Sequence, residues 1–513
     1  MFGVIISIIL AVLIIGVVIV IMFDDGDSGR KMAWLLVIAL LPVVGLLLYL
    51  AFGINYRTHW YFNRRHQLSI NAFSAGTNEK LNRLLMGHDV EPKVKEEFRP
   101  LARLLGIYAY PTVSEGNSFE IITNGNRKFE LLMHDLEEAK EYIHLEYFHF
   151  GNDSTSKTIK NLLMKKATEG VKVRFIYENI ANLPIISRYY TNMKKAGVEV
   201  LAFTNPRSHP LNLITTLNYR DHRKIVIIDG KIGYTGGMNI NDNYFKIWRD
   251  THLRLEGPAV ASLQFVFMDA WITSGGIPDR PLLEYFPMVD AIGPHEKNIA
   301  IEPAEILAPK NRSTLPDVME VDLKGIQPTL HGKLVQVLPD EPDARWPLIQ
   351  MSYEWVINNA KRYIYLQTPY FVPPEPLLNA IKSAGLRGVD IRLMVPEKAD
   401  NFFMGPANSS YYQECLDAGV RIFLRKGQFI HSKTFVSDDY ISSIGTAHID
   451  FRSFDINYEV NTYIYDTETA ALNKAIFMKD LEMCEEITAE SWKHRSWGRK
   501  VSERIMRLFS PLL

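Results

Sequence analysis

Residues 222–229 read HRKIVIID and residues 431–438 read HSKTFVSD, so the chain carries the pattern His-x-Lys-x4-Asp twice. A constant offset of 209 residues relates the two copies, and the same offset relates Asp250 to Glu459. The register therefore holds over 29 positions, which is far longer than the motif itself. This agreement indicates one duplicated domain rather than two chance matches of a short pattern.

Shorter repeats on either side of the motifs extend this duplication. GVKVR at 170–174 corresponds to GVDIR at 388–392, and AGVEV at 196–200 corresponds to AGVRI at 418–422. Each repeat leads into strand-forming residues and follows a segment with apolar residues at helical spacing, as in the segment that begins at Ser154 or Thr155. The pattern predicts an α/β protein with two equivalent halves.

Histidine and lysine in both copies suggest chemistry at a phosphodiester. Residues 222–229 are predicted to form a strand, on which side chains two positions apart share a face. His222 and Lys224 would then point into one cleft together with His431 and Lys433. A neutral imidazole can attack phosphorus, and a protonated one can donate a proton to the leaving alcohol. The lysines would stabilise the charge of an in-line displacement.

Four further positions in the matched register are candidates for supporting roles. Asn239, and His448 at the equivalent position, can hold the non-bridging phosphate oxygens. Asp250 and Glu459 each follow a motif histidine by 28 residues. They are candidates to bind the far ring nitrogen of an imidazole and so to fix its tautomer.

Asp229 and Asp438 complete the catalytic motifs, but their expected place at a strand end suits a structural role.

The chain has neither a GxxxxGK[ST] loop nor a GxGxxG fingerprint. The two cysteines, Cys415 and Cys484, lack metal-ligand spacing. Exchange of one phosphodiester alcohol for another needs no nucleotide, so no cofactor and no metal are predicted.

Two uncharged apolar segments, residues 2–22 and 32–54, precede the repeats. Each is long enough to cross a bilayer core of about 30 Å as a helix. The first segment lacks the basic start and the cleavage site of a signal peptide, which favours a transmembrane helical hairpin. A slight excess of positive charge after the second segment favours a cytoplasmic main domain; the flanking residues are Arg30, Lys31, Arg57, Arg64 and Arg65.

The composition excludes two classes of protein. With 22% charged and 47% hydrophobic residues and a net charge of −1, the 513-residue chain is neither disordered nor globally basic. No nucleic-acid partner is therefore predicted. Cys415 and Cys484 cannot form a disulfide framework, so they are interpreted as reduced thiols.

The chain divides into six predicted segments. Eleven prolines between the copies indicate an irregular linker. The tail from Trp492 has six Lys or Arg against one Glu, and it fits either a membrane-surface helix or a docking helix with a basic outer face. The predicted segments are a membrane hairpin at 1–54, a juxtamembrane segment at 55–115, a first half at 116–277, a proline-rich linker at 278–347, a second half at 348–490 and a basic tail at 491–513.

Several longer stretches resemble the phospholipase D superfamily and, within it, the bacterial cardiolipin synthases. They cover nearly the whole chain and include the N-terminal hairpin and both motif regions. The stretches are AKEYIHLEYF, LNYRDHRKIVIIDGKIGYTGGMNI, WRDTHLRLEGPAV, YLQTPYFVP, RGVDIRLMVP, FRSFDINYEVN and the terminal SPLL.

This resemblance implies two α/β/α sandwich halves that share one active site behind a two-helix membrane hairpin. It implies a multi-pass enzyme of the bacterial cell membrane that joins two phosphatidylglycerol molecules into cardiolipin and glycerol through a phosphohistidine. It also implies that His222 is the nucleophile. One position departs from the family, which usually has Asn where GTAHID places His448.

Three alternatives remain open at this stage. A hydrolytic phospholipase D would use the same residues with water as acceptor, and a nuclease would use the same chemistry on a different substrate. An inactive membrane scaffold is disfavoured by the two intact His/Lys pairs. The sequence also leaves open the oligomeric state and whether the second lipid is phosphatidylglycerol or phosphatidylethanolamine.

Overall fold

The computed structural model describes eight stretches of the chain, residues 2–24, 28–53, 91–106, 112–182, 186–203, 218–287, 328–342 and 344–512. Most of the predicted juxtamembrane segment lies outside these described residues, including Arg57, Arg64 and Arg65. Residues 288–327, the larger part of the predicted linker, also lie outside them.

The first half contributes nine strands. Apolar and β-branched residues dominate its three parallel strands, as expected for strands covered on both faces. The strands are β1 Ser114–Ile122, β2 Tyr142–Tyr147, β3 Lys172–Glu178, β4 Glu199–Phe203, β5 Arg220–Asp221, β6 Lys224–Ile228, β7 Ile232–Gly236, β8 Trp248–Arg249 and β9 His252–Glu256.

The second half repeats this arrangement with eleven strands. They are β10 Leu330–Asp340, β11 Tyr363–Gln367, β12 Phe371–Val372, β13 Asp390–Pro396, β14 Arg421–Arg425, β15 Phe429–Ile430, β16 Thr434–Ser437, β17 Ile441–Gly445, β18 Ile449–Asp450, β19 Asn457–Tyr465 and β20 Cys484–Ile487.

Both halves build the same sheet pattern, and together they form one 16-stranded sheet. In the first half β2, β3 and β4 run parallel, and β6, β7 and β9 follow as antiparallel neighbours. In the second half β11, β13 and β14 are parallel, followed by β16, β17 and β19. Antiparallel pairing of β1 with β10 joins the halves. The repeats seen in the sequence therefore mark equivalent strands.

Helices cover both faces of this sheet. In the first half one face packs on the nearly all-apolar helix Ala259–Thr273 and the other packs on three amphipathic helices. The second half repeats this layering, which confirms the predicted α/β/α architecture. The helices of the two halves are Gly125–Glu138, Ser154–Thr168, Ile186–Lys195, Ala259–Thr273, Leu348–Asn359, Glu375–Leu386, Met404–Ser409, Tyr412–Asp417, Phe451–Asp455 and Thr467–Leu481. Residues before the first half add the helix Arg99–Leu105.

The N-terminal apolar segments form one continuous helix and one divided helix. Phe2–Phe23 is the one helix among the described residues that is long and apolar enough to cross a membrane. The second segment forms Ser28–Leu40 and Pro42–Leu48, which meet at Pro42 because proline lacks an amide hydrogen and interrupts helical hydrogen bonding. The two segments pack on each other as a hairpin.

Three local features differ from the sequence predictions. The strand β10 lies inside the segment predicted as an irregular linker, because LHGKLVQVLPD has enough apolar residues for a central strand. The cap of the helix Ser154–Thr168, predicted to be Ser154 or Thr155, is Asp153, whose carboxylate accepts from the amide of Ser156. The strand predicted from residue 222 begins at Lys224.

The basic tail forms the helices Ala489–Lys493 and Trp497–Phe509. The second helix turns Glu503 inward, where its carboxylate accepts hydrogen bonds from Ser409 and Arg495. On the outer side, Ile505 is 50% exposed and Leu508 is 57% exposed. The tail therefore docks on the second half through buried Trp492 and the inward Glu503, and it leaves other apolar side chains outside.

Candidate active site

The strands β6 and β16 place the two motifs at the boundary between the halves. Lys224 and Lys433 are fully buried residues at or beside the first positions of these strands, and each histidine lies two residues earlier. The amide of His222 donates to the carbonyl of Tyr458 at 2.9 Å, and that of His431 donates to the carbonyl of Arg249 at 2.7 Å. Each histidine backbone is thus held by the opposite half.

Two short parallel ladders explain this exchange between the halves. In one, β15 pairs with β8 so that Ile430 lies opposite Arg249. In the other, β5 pairs with β19 so that Tyr458 lies opposite Asp221. The next position along the first ladder brings His431 beside Asp250, and that of the second brings His222 beside Glu459 in the same way.

The two carboxylates bind the imidazoles crosswise. Nδ1 of His222 lies 3.0 Å from both carboxylate oxygens of Glu459, and Nδ1 of His431 lies 2.7 Å from Oδ2 of Asp250. Each carboxylate therefore makes the contact needed to fix the tautomer of an imidazole, and it makes this contact with the histidine of the other half. A proton on Nδ1 facing the carboxylate leaves the lone pair of Nε2 free for chemistry.

Burial and positive neighbours keep both imidazoles neutral in the empty site. Burial, with the charges of Lys224 and Lys433, lowers the pKa of His222 to about 4 despite its carboxylate partner. Burial and the charge of Lys433 lower the pKa of His431 to about 3. Burial by itself would raise the pKa of Asp250, but Lys433 and His431 hold it below the usual value. A phosphodiester anion would favour protonation of an adjacent imidazole.

The two lysines differ in how they meet the imidazoles. Nζ of Lys224 donates to the carbonyl of His222 at 2.5 Å, whereas Nζ of Lys433 lies 2.7 Å from Nδ1 of His431 and also contacts its carbonyl. Burial lowers the pKa of Lys224 to about 7 and that of Lys433 to about 8. An ammonium with so little solvent is poised to pair with a phosphate oxygen.

Asn239 lies at the site, and part of its amide is already engaged. Its Oδ1 accepts from the amide of His149 at 3.2 Å, and its Nδ2 donates to the hydroxyl of Tyr244 at 3.3 Å. An amide nitrogen has two hydrogens, so one donor is left for a phosphate oxygen. The backbone beside it is held by Lys128, whose ammonium donates to the carbonyls of Met238 and Asn239. Sequence reasoning did not identify Lys128.

His448 lies between the two motif histidines. Its ring centroid is 5.0 Å from that of His222 and 5.4 Å from that of His431, and it also contacts Tyr370 at 4.6 Å. Within the described part of the chain its buried Nδ1 has no hydrogen-bond partner. Burial and the charge of Lys433 hold its pKa well below the usual value. His448 is therefore a neutral side chain with an unused polar atom in the centre of the site.

We expect His448→Asn to remain active and to lose one ionisation from the pH dependence of turnover. Asparagine restores the amide donor that the family resemblance leads us to expect here, whereas the imidazole gains proton affinity when phosphate binds. His448→Ala should raise the barrier by about 2–4 kcal/mol if the ring donates to the transition state. Turnover measured against pH for both variants tests this, and full activity of the alanine variant would contradict it.

Asp229 and Asp438 bind backbone amides in the two halves. The carboxylate of Asp229 accepts from the amides of residues 140–142, and that of Asp438 accepts from the amides of residues 361–363. Both residues have left-handed backbone conformations, with φ values of 51° and 49°. Each carboxylate thus ties a strand end to the start of the neighbouring strand, as the structural interpretation predicted.

Aromatic side chains line the histidines, and sequence reasoning missed them. Phe148 contacts His222 with ring centroids 4.8 Å apart, and Trp248 contacts His431 at 4.7 Å. Phe148 and Tyr370 follow β2 and β11, which are equivalent strands. Phe148 lies in AKEYIHLEYF and Tyr370 in YLQTPYFVP, both of which resemble the family. An aromatic residue shortly after each strand was therefore the signal that the sequence offered.

Comparison with known proteins identifies the family. The protein-family model described as "Cardiolipin synthase, PLD-like domain" matches residues 132–271 and 354–481. A second family model, "Phospholipase_D-nuclease N-terminal", matches residues 9–53. The major cardiolipin synthase of Bacillus subtilis is 35% identical, with 97% of this chain and 96% of that protein covered. The chain belongs to the cardiolipin synthase family of phospholipase D-like proteins.

Other comparisons agree with this family and with the fold. A cardiolipin synthase of Halalkalibacterium halodurans is 33% identical, with 99% of this chain and 93% of that protein covered. The crystal structure of phosphatidylserine synthase from Haemophilus influenzae has a TM-score of 0.54 at 13% identity, with 77% of this chain and 95% of that chain covered. The latter likeness concerns the fold alone, and it extends over both halves of this cardiolipin synthase family member.

Proposed function

We propose that the protein is a membrane phosphatidyltransferase that joins two phosphatidylglycerol molecules into cardiolipin and glycerol. The observation that carries this proposal is the crossed pair of His–carboxylate contacts, His222 with Glu459 and His431 with Asp250. Two imidazoles that each face a carboxylate share one buried site. A neutral one can attack phosphorus, and the other, protonated when the phosphodiester anion binds, can serve the leaving alcohol. The named cardiolipin synthases that share almost the full length of this chain support the choice of substrate.

In the first step, Nε2 of His222 attacks the phosphorus of one phosphatidylglycerol. The bond from phosphorus to the oxygen of the glycerol headgroup breaks, and protonated His431 gives that oxygen its proton. The products are free glycerol and a phosphatidyl group bound to His222. Lys224 and Lys433 lie where they can balance charge on the non-bridging oxygens during this in-line displacement.

In the second step, the headgroup hydroxyl of another phosphatidylglycerol attacks the same phosphorus. His431, left neutral by the first step, takes the hydroxyl proton, and the bond between phosphorus and His222 breaks. Cardiolipin leaves, and both imidazoles return to their starting states. The phosphohistidine conserves the phosphodiester linkage, so the exchange needs no nucleotide.

A difference between the two histidines favours His222 as the nucleophile. Nζ of Lys433 lies 2.7 Å from Nδ1 and 3.2 Å from Nε2 of His431. Nδ1 of His222 faces the carboxylate of Glu459, and no ammonium of the described residues lies within hydrogen-bond distance of its ring. An imidazole engaged by an ammonium is the poorer nucleophile because its lone pair is attracted to that charge. The resemblance to the family implies His222 as the nucleophile as well, and this leaves His431 for proton transfer.

Labelled phosphatidylglycerol in mixed micelles provides the test of the proposed reaction. We expect the purified full-length protein to form cardiolipin and glycerol without nucleotide and in the presence of a chelator. A double variant, His222→Ala with His431→Ala, is the control for contaminating enzymes. Formation of phosphatidic acid alone would indicate a hydrolase, and a strict need for a cytidine-activated lipid or a divalent ion would contradict the mechanism.

We further propose that the two apolar segments cross the membrane and that the two halves face the cytoplasm. The continuous helix Phe2–Phe23 is long and apolar enough to cross a membrane, and the apolar second segment packs on it. The turn carries Arg30 and Lys31, whereas Arg57, Arg64 and Arg65 follow the second segment, and this slight excess of positive charge favours a cytoplasmic main domain. Free Cys415 and Cys484 in the second half suit a reducing compartment.

Labelling of an introduced cysteine at the hairpin turn tests this topology. We expect Ser28→Cys to react with a membrane-impermeant maleimide in intact cells, because the turn would face outward. The native Cys484, which is partly buried in the second half, should react only after lysis. The reverse pattern, with Ser28→Cys protected until lysis, would indicate the opposite orientation.

A further inference from the structure

The helix Trp497–Phe509, called the tail helix below, turns its apolar residues outward. Trp497, Val501, Ile505 and Leu508 recur every three or four positions and so share one face, the outer face. Trp497 is 79% exposed, and Ile505 and Leu508 are at least half exposed. A helix that packs on a globular protein normally turns such a face inward, because apolar burial is its main source of stability. The outer face is thus largely uncovered by the residues that the structure describes.

Polar contacts on the opposite side hold the tail helix in this orientation. The buried carboxylate of Glu503 accepts from the hydroxyl of Ser409 at 2.9 Å and from Nε of Arg495 at 2.7 Å. Arg507 pairs with Glu414 at 2.8 Å. A rotation that buried the outer face would break these contacts and leave the carboxylate of Glu503 without a partner. The fold therefore fixes the exposure of the apolar residues.

The charges beside the outer face are positive. From Trp492 onward the chain has six Lys or Arg against one Glu, and that residue, Glu503, points inward. Lys500 and Arg504 lie next to the apolar residues on the helix and form no ion pair within the described part of the chain. Basic residues beside an apolar face are typical of a helix that lies in the interface of an anionic membrane. An anionic lipid surface would supply both the apolar contact and the opposite charge.

A neighbouring loop carries two more exposed aromatic residues. Phe402 is 85% exposed and Phe403 is 57% exposed, and their ring centroids lie 5.5 Å apart. They directly precede the helix Met404–Ser409, which packs against the tail helix. Isolated exposed apolar residues are common on proteins, but a group on two adjoining elements indicates an interaction surface.

Two sets of contacts attach these elements to the active site. The hydroxyl of Tyr370 donates to Oδ2 of Asp400, two residues before the exposed aromatic pair, at 2.5 Å. Asn408, on the helix that follows the loop, binds the carbonyl before Tyr370 and the amide after it, both at 2.9 Å. The ring of Tyr370 contacts His448 in the centre of the site. The exposed surface and the catalytic site therefore share a rigid connection.

We propose that the outer face of the tail helix, together with Phe402 and Phe403, forms one surface that binds an anionic lipid bilayer. The apolar side chains enter the boundary between headgroups and acyl chains, and Lys500 and Arg504 pair with lipid phosphates. Through Tyr370, this surface holds the active site against the bilayer. Its effect on turnover rests on the proposed function, but lipid binding itself does not.

Fluorescence quenching in nanodiscs tests binding without turnover. The protein is the full chain with His222→Ala, which keeps the lipid composition constant, and with Cys484→Ser, which removes the partly buried thiol. One introduced cysteine carries a nitrobenzoxadiazole label. At Leu508→Cys and at Phe402→Cys, we expect quenching by a nitroxide on the lipid acyl chain and protection from iodide in solution.

Leu386→Cys is the matched control. Leu386 is 74% exposed and ends the helix before β13, whereas Phe402 follows that strand, so β13 separates the two positions. Its label should be quenched by iodide alone. Equal iodide quenching at Leu508→Cys or Phe402→Cys would overturn the proposed surface. A label at Leu508→Cys reached by neither quencher would mean that protein covers the face, as another segment or a second copy, and would overturn it as well.

Charge variants test the preference for anionic lipid. In nanodiscs of phosphatidylcholine with increasing phosphatidylglycerol, lipid quenching at Leu508→Cys should rise with the anionic share. The double variant Lys500→Gln with Arg504→Gln should at least double the share needed for half-maximal quenching. Lys194→Gln with Lys195→Gln, which removes two exposed charges from the first half, is the control. Identical quenching at every composition would overturn an anionic surface.

Turnover in proteoliposomes tests the consequence for the proposed reaction. Ile505→Ser with Leu508→Ser should raise KM, expressed as the mole fraction of phosphatidylglycerol, about fivefold, whereas kcat should change by less than about twofold. Leu386→Ser is the control. A fall in kcat with unchanged KM would overturn the role in substrate access. If wild type makes no cardiolipin while lipid quenching at Leu508→Cys is retained, the proposed function fails and the bilayer-binding surface stands.

Discussion

His222→Ala is expected to abolish the covalent phosphoenzyme and to lower turnover on the order of 10⁴–10⁶-fold. The reason is that Nε2 of His222 forms the bond to phosphorus, and no other group can replace it in the first step. His431→Ala should lower turnover strongly as well, by roughly 10²–10⁴-fold, because the leaving alkoxide then lacks a proton donor. Only His222→Ala should leave no labelled protein at all.

Rapid quenching with phosphatidylglycerol labelled at phosphorus measures this directly. The phosphoamidate of histidine survives alkali and is lost in acid, which distinguishes it from a serine ester, and peptide mapping locates it. Lys231→Gln is a control, since Lys231 is an exposed residue on the turn between β6 and β7. A label on His431 would reverse the assigned roles. Absence of label on either histidine, in an active enzyme, would remove the covalent mechanism.

The second expected result concerns the crossed carboxylates. Asp250→Asn and Glu459→Gln keep the shape of each side chain and remove its charge, so each should lower turnover by roughly 10²–10⁴-fold with folding preserved. A buried carboxylate fixes the tautomer of its imidazole and stabilises the protonated form. Wild-type turnover in both variants, measured with phosphatidylglycerol under identical conditions, would show that the contacts have no catalytic effect.

A substrate with a good leaving group separates the two carboxylates. A phosphatidyl ester of p-nitrophenol needs no proton donor for its first step, so Asp250→Asn, which affects His431, should recover most of its release of p-nitrophenol. Glu459→Gln, which affects His222, should stay slow with the same substrate. The opposite pattern would mean that each carboxylate acts on the histidine of its own half, contrary to the contacts at 2.7 and 3.0 Å.

Much of the fold and the chemical class followed from local patterns. A histidine and a lysine two positions apart stay close in any extended segment, so each His/Lys pair was predictable from its motif. The constant offset between the copies implied equivalent strands, and β6 and β16 are equivalent in the sheet. The first helix was likewise predictable, because its length and hydrophobicity are those that a membrane span requires.

The partners within the site depended on the tertiary structure. The register relates Asp250 to Glu459, but it contains no information on which histidine each one meets. That choice is made by two short ladders between the halves, which bring residues 181 and 237 positions apart into contact. The central strand β10 and the inward Glu503 were missed for the same reason. Such contacts join distant segments, and their free energy depends on how two finished surfaces pack rather than on any local pattern.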